Sequence, residues 1–114
     1  MAKLRVMYRT LVFGAGGRVG SRLAAHLEEE GMEVVGCGRD ACDLKDLKAL
    51  KNVLLSSGAT HVVNCAAVSG LEACLDDPET AHRVNAMAPE MMARICRLEG
   101  EALEAFVAQA ERRR

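Results

Sequence analysis

A short apolar run, Thr10-Leu11-Val12-Phe13, passes without a break into Gly14-Ala15-Gly16-Gly17-Arg18-Val19-Gly20, and an amphipathic pattern starts at once behind it. A buried strand that flows into glycine and then into a helix leaves few folds open. Glycine lets the chain turn tightly and lets backbone N–H groups approach a bound anion closely. The helix that follows offers unpaired N–H groups and a partial positive charge. The glycines that carry this reading are Gly14, Gly17 and Gly20, spaced three apart. Gly20 lets the helix lie close to the sheet. The spacing is G-x-x-G-x-x-G, not the G-x-G-x-x-G of the dinucleotide fingerprint. A glycine cluster used only as a turn is the competing reading, and the strand before it and helix after it favour the phosphate cradle. No G-x-x-x-x-G-K-[ST] run occurs, which excludes a P-loop.

The remainder alternates short apolar runs with helical periodicity, the pattern of βαβ units. A helix is expected over about Arg18 to Glu30, with Val19, Leu23 and Leu27 inward and Gly31 as its stop. A second strand follows at Glu33–Cys37. Asp43 is expected to cap a helix over Lys45 to Ser56 that turns Leu44, Leu47, Leu50 and Leu54 to the core. A third strand runs from His61 to Ala66. Helical spacing then takes over through Ala81, Val84, Ala88, Met91 and Ile95, with Pro78 in a first turn and Pro89 marking a kink or a new start. Leu103, Phe106, Val107 and Ala110 give a last amphipathic stretch. The expected fold is α/β: a Rossmann-like parallel sheet of about three strands flanked by helices, a doubly wound fold cut short. Residues 9–98 form the nucleotide-binding domain, and 99–114 a helical tail.

At 114 residues the chain has room for one small domain. Half of it is hydrophobic, yet it holds only two Phe, one Tyr and no Trp, so Leu, Val, Ala and Met must fill the core. With so few rings to stack bases on and a net charge of −1, a nucleic-acid role is not expected. No apolar run approaches the roughly 20 residues that cross a bilayer, and the first residues lack the apolar stretch of a signal peptide. Five cysteines without a C-x-x-C pair suit reduced thiols in the cytoplasm better than a disulfide framework. His26, His61 and His82 are too scattered to suggest a metal site.

The end of the second strand distinguishes the two nicotinamide dinucleotides. An acidic side chain there would bind the ribose hydroxyls, whereas arginine accommodates a 2′-phosphate. The strand ends Cys37-Gly38-Arg39, with no acid before Asp40. Arg39, helped by Arg18, can grip a phosphate through paired N–H groups. NADP(H) is therefore preferred, with NAD(H) the alternative; a solvated loop arginine is the plain reading of Arg39.

Taken together, Phe13-Gly14-Ala15-Gly16-Gly17-Arg18-Val19-Gly20, Asp43-Leu44, Val63-Asn64-Cys65-Ala66-Ala67 and Pro78-Glu79 with Val84-Asn85-Ala86 resemble the extended short-chain dehydrogenase/reductases, and within them the dTDP-4-dehydrorhamnose reductase branch. The resemblance covers roughly Thr10 to Leu98. It implies that Gly17, Arg18 and Val19, within the cofactor-binding loop that Gly14 and Gly20 bound, cradle the pyrophosphate and that Arg39 lies near the adenosine ribose. Asp43 and Leu44 would flank the adenine, and Ala66, Ala67 and Val68 would line the nicotinamide ribose. Asn64 and Asn85 would brace backbone.

The family's Tyr-x-x-x-Lys dyad has no counterpart here. The one tyrosine, Tyr8, precedes the first strand, no lysine follows Lys51 and no serine follows Ser69. No catalytic residue is therefore assigned, and no turnover is expected of this chain alone, because nothing supplies a positioned proton donor. The expected role is the NADP(H)-binding part of a sugar-nucleotide oxidoreductase. The alternatives are a non-catalytic NADP-binding regulatory module, which the branch also resembles in the regulatory subunit of methionine adenosyltransferase, and an interaction module. In the latter an exposed sheet edge or the final helix would meet a second copy or a partner chain.

Overall fold

The computed structural model describes residues 8–98, and the backbone of 104–107. Its strands are β1 (Arg9–Phe13), β2 (Glu33–Cys37), β3 (His61–Asn64) and β4 (Glu104–Val107). They form one parallel sheet in the order β2-β1-β3-β4. The helices are α1 (Arg18–Glu29), α2 (Leu47–Ser56), α3 (Leu71–Asp76), α4 (Pro78–His82) and α5 (Ala88–Leu98). Among the described residues none is long and apolar enough to cross a membrane.

β1 is central, and its Leu11, Val12 and Phe13 are fully buried, as a parallel strand covered on both faces requires. Its register aligns Leu11 with Val35 and Val62, and Phe13 with Cys37 and Asn64. The Leu11 and Phe13 face packs on Leu50 and Leu54 of α2 and on Ala88, Met92, Ile95 and Cys96 of α5. The opposite face, carrying Val12 and Gly36, receives α1. Right-handed crossovers demand this division, because β2 and β3 lie on opposite sides of β1.

The inward stripe of α1 differs from expectation. Val19 is 47% exposed, and Gly20 is the buried residue of the helix. Gly20 brings the helix so close to the loop before it that the inward row becomes Gly20, Leu23, Ala24 and Leu27, one position round from Val19. The cap of α2 also differs. Asp46, not Asp43, accepts the Ala49 N–H at 3.1 Å, and the helix starts at Leu47 rather than Lys45. Asp43 closes the preceding turn by accepting the Lys45 N–H at 3.0 Å. β3 stops at Asn64, two residues early, because the Asn64 side chain takes the Ala66 N–H at 3.0 Å out of the ladder.

A π-helical turn over Arg83–Met87 joins α4 to α5. Pro89 has no N–H to return to Asn85, and the wider turn absorbs the missing bond. The helical tail expected over 99–114 is not formed where it is described: 104–107 is a strand, paired parallel to β3 with Val62 beside Ala105 and Asn64 beside Val107. The open edge of β3 offers a ladder of unpaired backbone groups, and that outweighs local helix propensity. The sheet therefore has a fourth strand beyond the three expected. The rest of the 99–114 tail lies outside the described residues.

Candidate functional site

At the carboxyl ends of β1 and β3 the connections leave in opposite directions, and a crevice opens between them. Open α/β sheets hold ligands at such a point. The crevice is a cleft of about 690 Å³ walled by the glycine loop, the 37–45 segment and the 65–68 segment, with Thr80 and Val84 closing one side.

The glycine loop is shaped by contacts that exclude side chains. Gly14 has φ +76°, and a Cβ on it would lie 2.7 Å from Ala66 N and from the Cys65 carbonyl carbon. Its N–H donates to the Cys37 carbonyl at 3.1 Å, tying the loop to the end of β2. A Cβ on Gly20 would overlap the Gly14 carbonyl oxygen. Gly16 is the opposite case: a Cβ there would meet nothing within 4 Å and would stand at the cleft wall. The loop is thus closed against protein at Gly14 and Gly20 and open to a ligand at Gly16.

α1 starts unneutralised beside this opening, its N-cap residue Gly17 lining the cleft. No side chain caps it, and its first turn has no acidic residue. Ser21 N–H donates to the Gly17 carbonyl at 2.9 Å, whereas the N–H groups of Arg18, Val19 and Gly20 have no carbonyl four residues back within the helix. Three N–H donors and the positive end of a helix dipole suit a diphosphate. A cradle that a Cβ at Gly16 would begin to fill fits the pyrophosphate of a dinucleotide.

Of the residues expected at the site, Gly14, Gly17, Arg39, Asp43, Leu44, Ala66, Ala67 and Val68 line one cleft. Arg18, Val19 and Gly20 do not wall it. Gly20 lies beneath the loop, and Arg18 and Val19 sit exposed in the first helical turn. Asn64 and Asn85 brace backbone, as expected. Asn85 accepts the Val68 N–H at 2.8 Å and donates to the Val68 carbonyl at 2.9 Å, pinning the 65–68 wall to the π-turn.

Other wall residues were not anticipated: Gly16, Cys37, Cys42, Cys65, Lys45, Thr80 and Val84 among them. Gly16 was visible as part of the glycine run but not as its open member. Thr80 and Val84 reach the cleft only through packing of distant segments. Arg83 donates to the Lys45 carbonyl at 3.3 Å and joins those segments. Asp77 accepts the N–H and hydroxyl of Thr80, which holds its carboxyl below the usual range.

Cys37, Cys42 and Cys65 are all pushed above the ordinary thiol range, mainly because burial disfavours the thiolate. Cys42 reaches about 11, since Cys37, Asp43 and Asp46 add to the effect. At neutral pH the inner wall of the cleft is thus uncharged. Charge sits at its rim, on Arg39, Asp40, Asp43 and Lys45; the Asp43–Lys45 pair is 3.8 Å apart and half exposed, so it contributes little to stability.

A parallel, doubly wound sheet with a glycine loop at its crevice defines the class as Rossmann-like. The chain belongs to the family described as the RmlD substrate binding domain, whose model matches residues 8–105. It is 36% identical over 96 residues to a dTDP-4-dehydrorhamnose reductase of Mycolicibacterium smegmatis, an alignment covering 83% of this chain and 29% of that protein. It is 34% identical to one from Streptomyces griseus, covering 83% and 31%. The chain thus spans about three tenths of the length of these relatives. Among solved structures, a dTDP-4-dehydrorhamnose reductase from Bacillus anthracis in complex with NADP superposes with TM-score 0.76 at 20% identity, over 89% of this chain and 36% of that one. A UDP-glucose 4-epimerase of Thermus thermophilus complexed with NAD gives 0.71 at 25% identity, over 82% and 35%.

Proposed function

We propose that this chain is the NADP(H)-binding part of a sugar-nucleotide reductase of the dTDP-4-dehydrorhamnose type. The observation that carries the reading is the glycine loop at the crevice, with Gly16 open and the α1 N-terminus uncapped, facing Arg39 across the same cleft. Gly16 and Gly17 at the cleft wall, with the N–H groups of Arg18 and Val19 at the start of α1, would hold the pyrophosphate. Arg39 would hold the 2′-phosphate, Asp43 and Leu44 the adenine, and Ala66, Ala67 and Val68 the nicotinamide ribose. Bound dinucleotide supplies hydride chemistry; the residues of this chain bind and orient it.

The chain is proposed to be inactive by itself, which supports a second reading as a non-catalytic NADP-binding module. Tyr8, its one tyrosine, stands before β1 at the amino ends of the parallel strands, and the cleft opens at their carboxyl ends. No lysine follows Lys51 to form the family's dyad. Under both readings, isothermal titration with NADPH should give a dissociation constant in the micromolar range. Arg39→Glu should weaken it about tenfold to a hundredfold, the worth of a lost charge-assisted contact of about 1.5–3 kcal/mol, while NADH binding changes much less. Absence of heat from protein shown to be folded by circular dichroism would overturn the proposal.

A further inference from the structure

The turn after β2 is fixed along its backbone and free at its side chains. The Gly38 carbonyl accepts the Ala41 and Cys42 N–H groups, both at 3.1 Å. Arg39 and Asp40 stand at the corner of this turn, both exposed and both lining the cleft. The turn is also tied to the glycine loop. The Cys37 carbonyl accepts the Gly14 N–H at 3.1 Å and the Ala15 N–H at 3.4 Å, and a Cβ on Gly38 would lie 3.9 Å from the Gly16 nitrogen. A pyrophosphate held at Gly16 and Gly17 would carry its adenosine ribose one ester bond away, within reach of the turn.

The charges at the cleft rim are not equally available. Asp43 and Lys45 answer each other at 3.8 Å, and Asp43 also accepts the Lys45 N–H at 3.0 Å. Among the described residues, the side chains of Arg39 and Asp40 make no hydrogen bond or ion pair, with each other or with the rest of the protein. A free guanidinium and a free carboxylate therefore sit side by side, each able to turn toward the cleft or away from it. We infer that Asp40 is a specificity-determining residue: Arg39 takes the 2′-phosphate of NADP(H), Asp40 takes the ribose hydroxyls of NAD(H), and the cleft accepts both dinucleotides. The inference rests on the proposed dinucleotide function. A guanidinium offers paired N–H donors to a phosphate, whereas a carboxylate accepts from two vicinal hydroxyls. The two residues also oppose each other. The Asp40 carboxylate repels the 2′-phosphate that Arg39 attracts, so it lowers affinity for NADP(H) while it raises affinity for NAD(H).

The test is isothermal titration of the whole chain with NADPH and, separately, with NADH; both should bind. Asp40→Ala, shown folded by circular dichroism, should move the two affinities in opposite directions. NADH should weaken about tenfold, as for a lost charge-assisted contact. NADPH should tighten about threefold to fivefold, the worth of a like-charge repulsion in water. Asp40→Asn keeps the size of the side chain and removes its charge, so it should show the same gain for NADPH. ADP-ribose and its 2′-phosphate, which lack the nicotinamide, should repeat the opposed shifts and so locate them at the adenosine end. NADPH binding without NADH binding, or an unchanged ratio of the two affinities in Asp40→Ala, would overturn the inference and leave the dinucleotide reading standing. A folded parent chain that binds neither dinucleotide would overturn that reading, and this inference with it.

Discussion

Gly16 and Gly20 are four residues apart in one run, yet they answer to different neighbours. A methyl on Gly20 would overlap the Gly14 carbonyl oxygen and lie 2.7 Å from its carbon, so either loop or helix must move. Gly20→Ala should cost about 1–3 kcal/mol, the range for overpacking, read as a lower urea midpoint. Gly16→Ala meets nothing within 4 Å. It should leave the midpoint within about 0.5 kcal/mol of the parent, yet weaken NADPH several-fold because its methyl stands at the cleft wall. Equal effects of the two on folding would contradict the geometry. The sequence pattern singled out Gly14, Gly17 and Gly20 by spacing, and Gly14 and Gly20 are indeed where protein crowds the loop. That Gly16 is the open position depends on what lies opposite it, which spacing does not record.

α2 shows the same division among elements. Its leucines recur at helical spacing, and Leu50 and Leu54 are buried as that spacing requires. Its start was misplaced because Asp43 and Asp46 are both good caps, and only the path of the 38–46 segment decides which reaches a helical N–H. Asp46→Ala should destabilise the protein by about 1 kcal/mol, measured by urea denaturation. Asp43→Ala should cost much less, because its carboxylate holds only the Lys45 N–H of an exposed turn. The reverse ranking would refute the assignment. α1 kept Leu23 and Leu27 on its inner face but exchanged Val19 for Gly20, since close approach to the loop took precedence over the apolar repeat. At 104–107 the local sequence favoured helix, and the free edge of β3 made it a strand.

Across the whole molecule, four buried thiols carry one consequence. Cys37, Cys42, Cys65 and Cys96 are each pushed above the ordinary value of 9.0 by burial, Cys42 to about 11. Below pH 9 each is a neutral thiol whether the chain is folded or not, and stability is unaffected. Above it the unfolded chain ionises first and gains relative to the folded one. Stability should therefore hold between pH 7 and 9 and fall from about 9 to 11, by at most about 1.4 kcal/mol per pH unit for each thiol. Urea midpoints at pH 8, 9.5 and 10.5 measure this, and Cys42→Ala should flatten part of the decline. A midpoint that does not change up to pH 11 would mean these sulfurs are not buried as described.

The sequence by itself determined the strand–glycine–helix opening, the three apolar strands, the inward leucines of α2 and the placement of Arg39 at the end of β2. These are set by local periodicity and by backbone freedom at named glycines, which act over one or two turns of chain. Tertiary structure alone decided the rest of the glycine loop's setting. It made Gly16 open and Gly20 buried, and brought Thr80 and Val84 to the cleft. It also gave β3 a fourth strand beside it. Each of these depends on which distant backbone lies within a few ångströms, and residue spacing along the chain carries no measure of that distance.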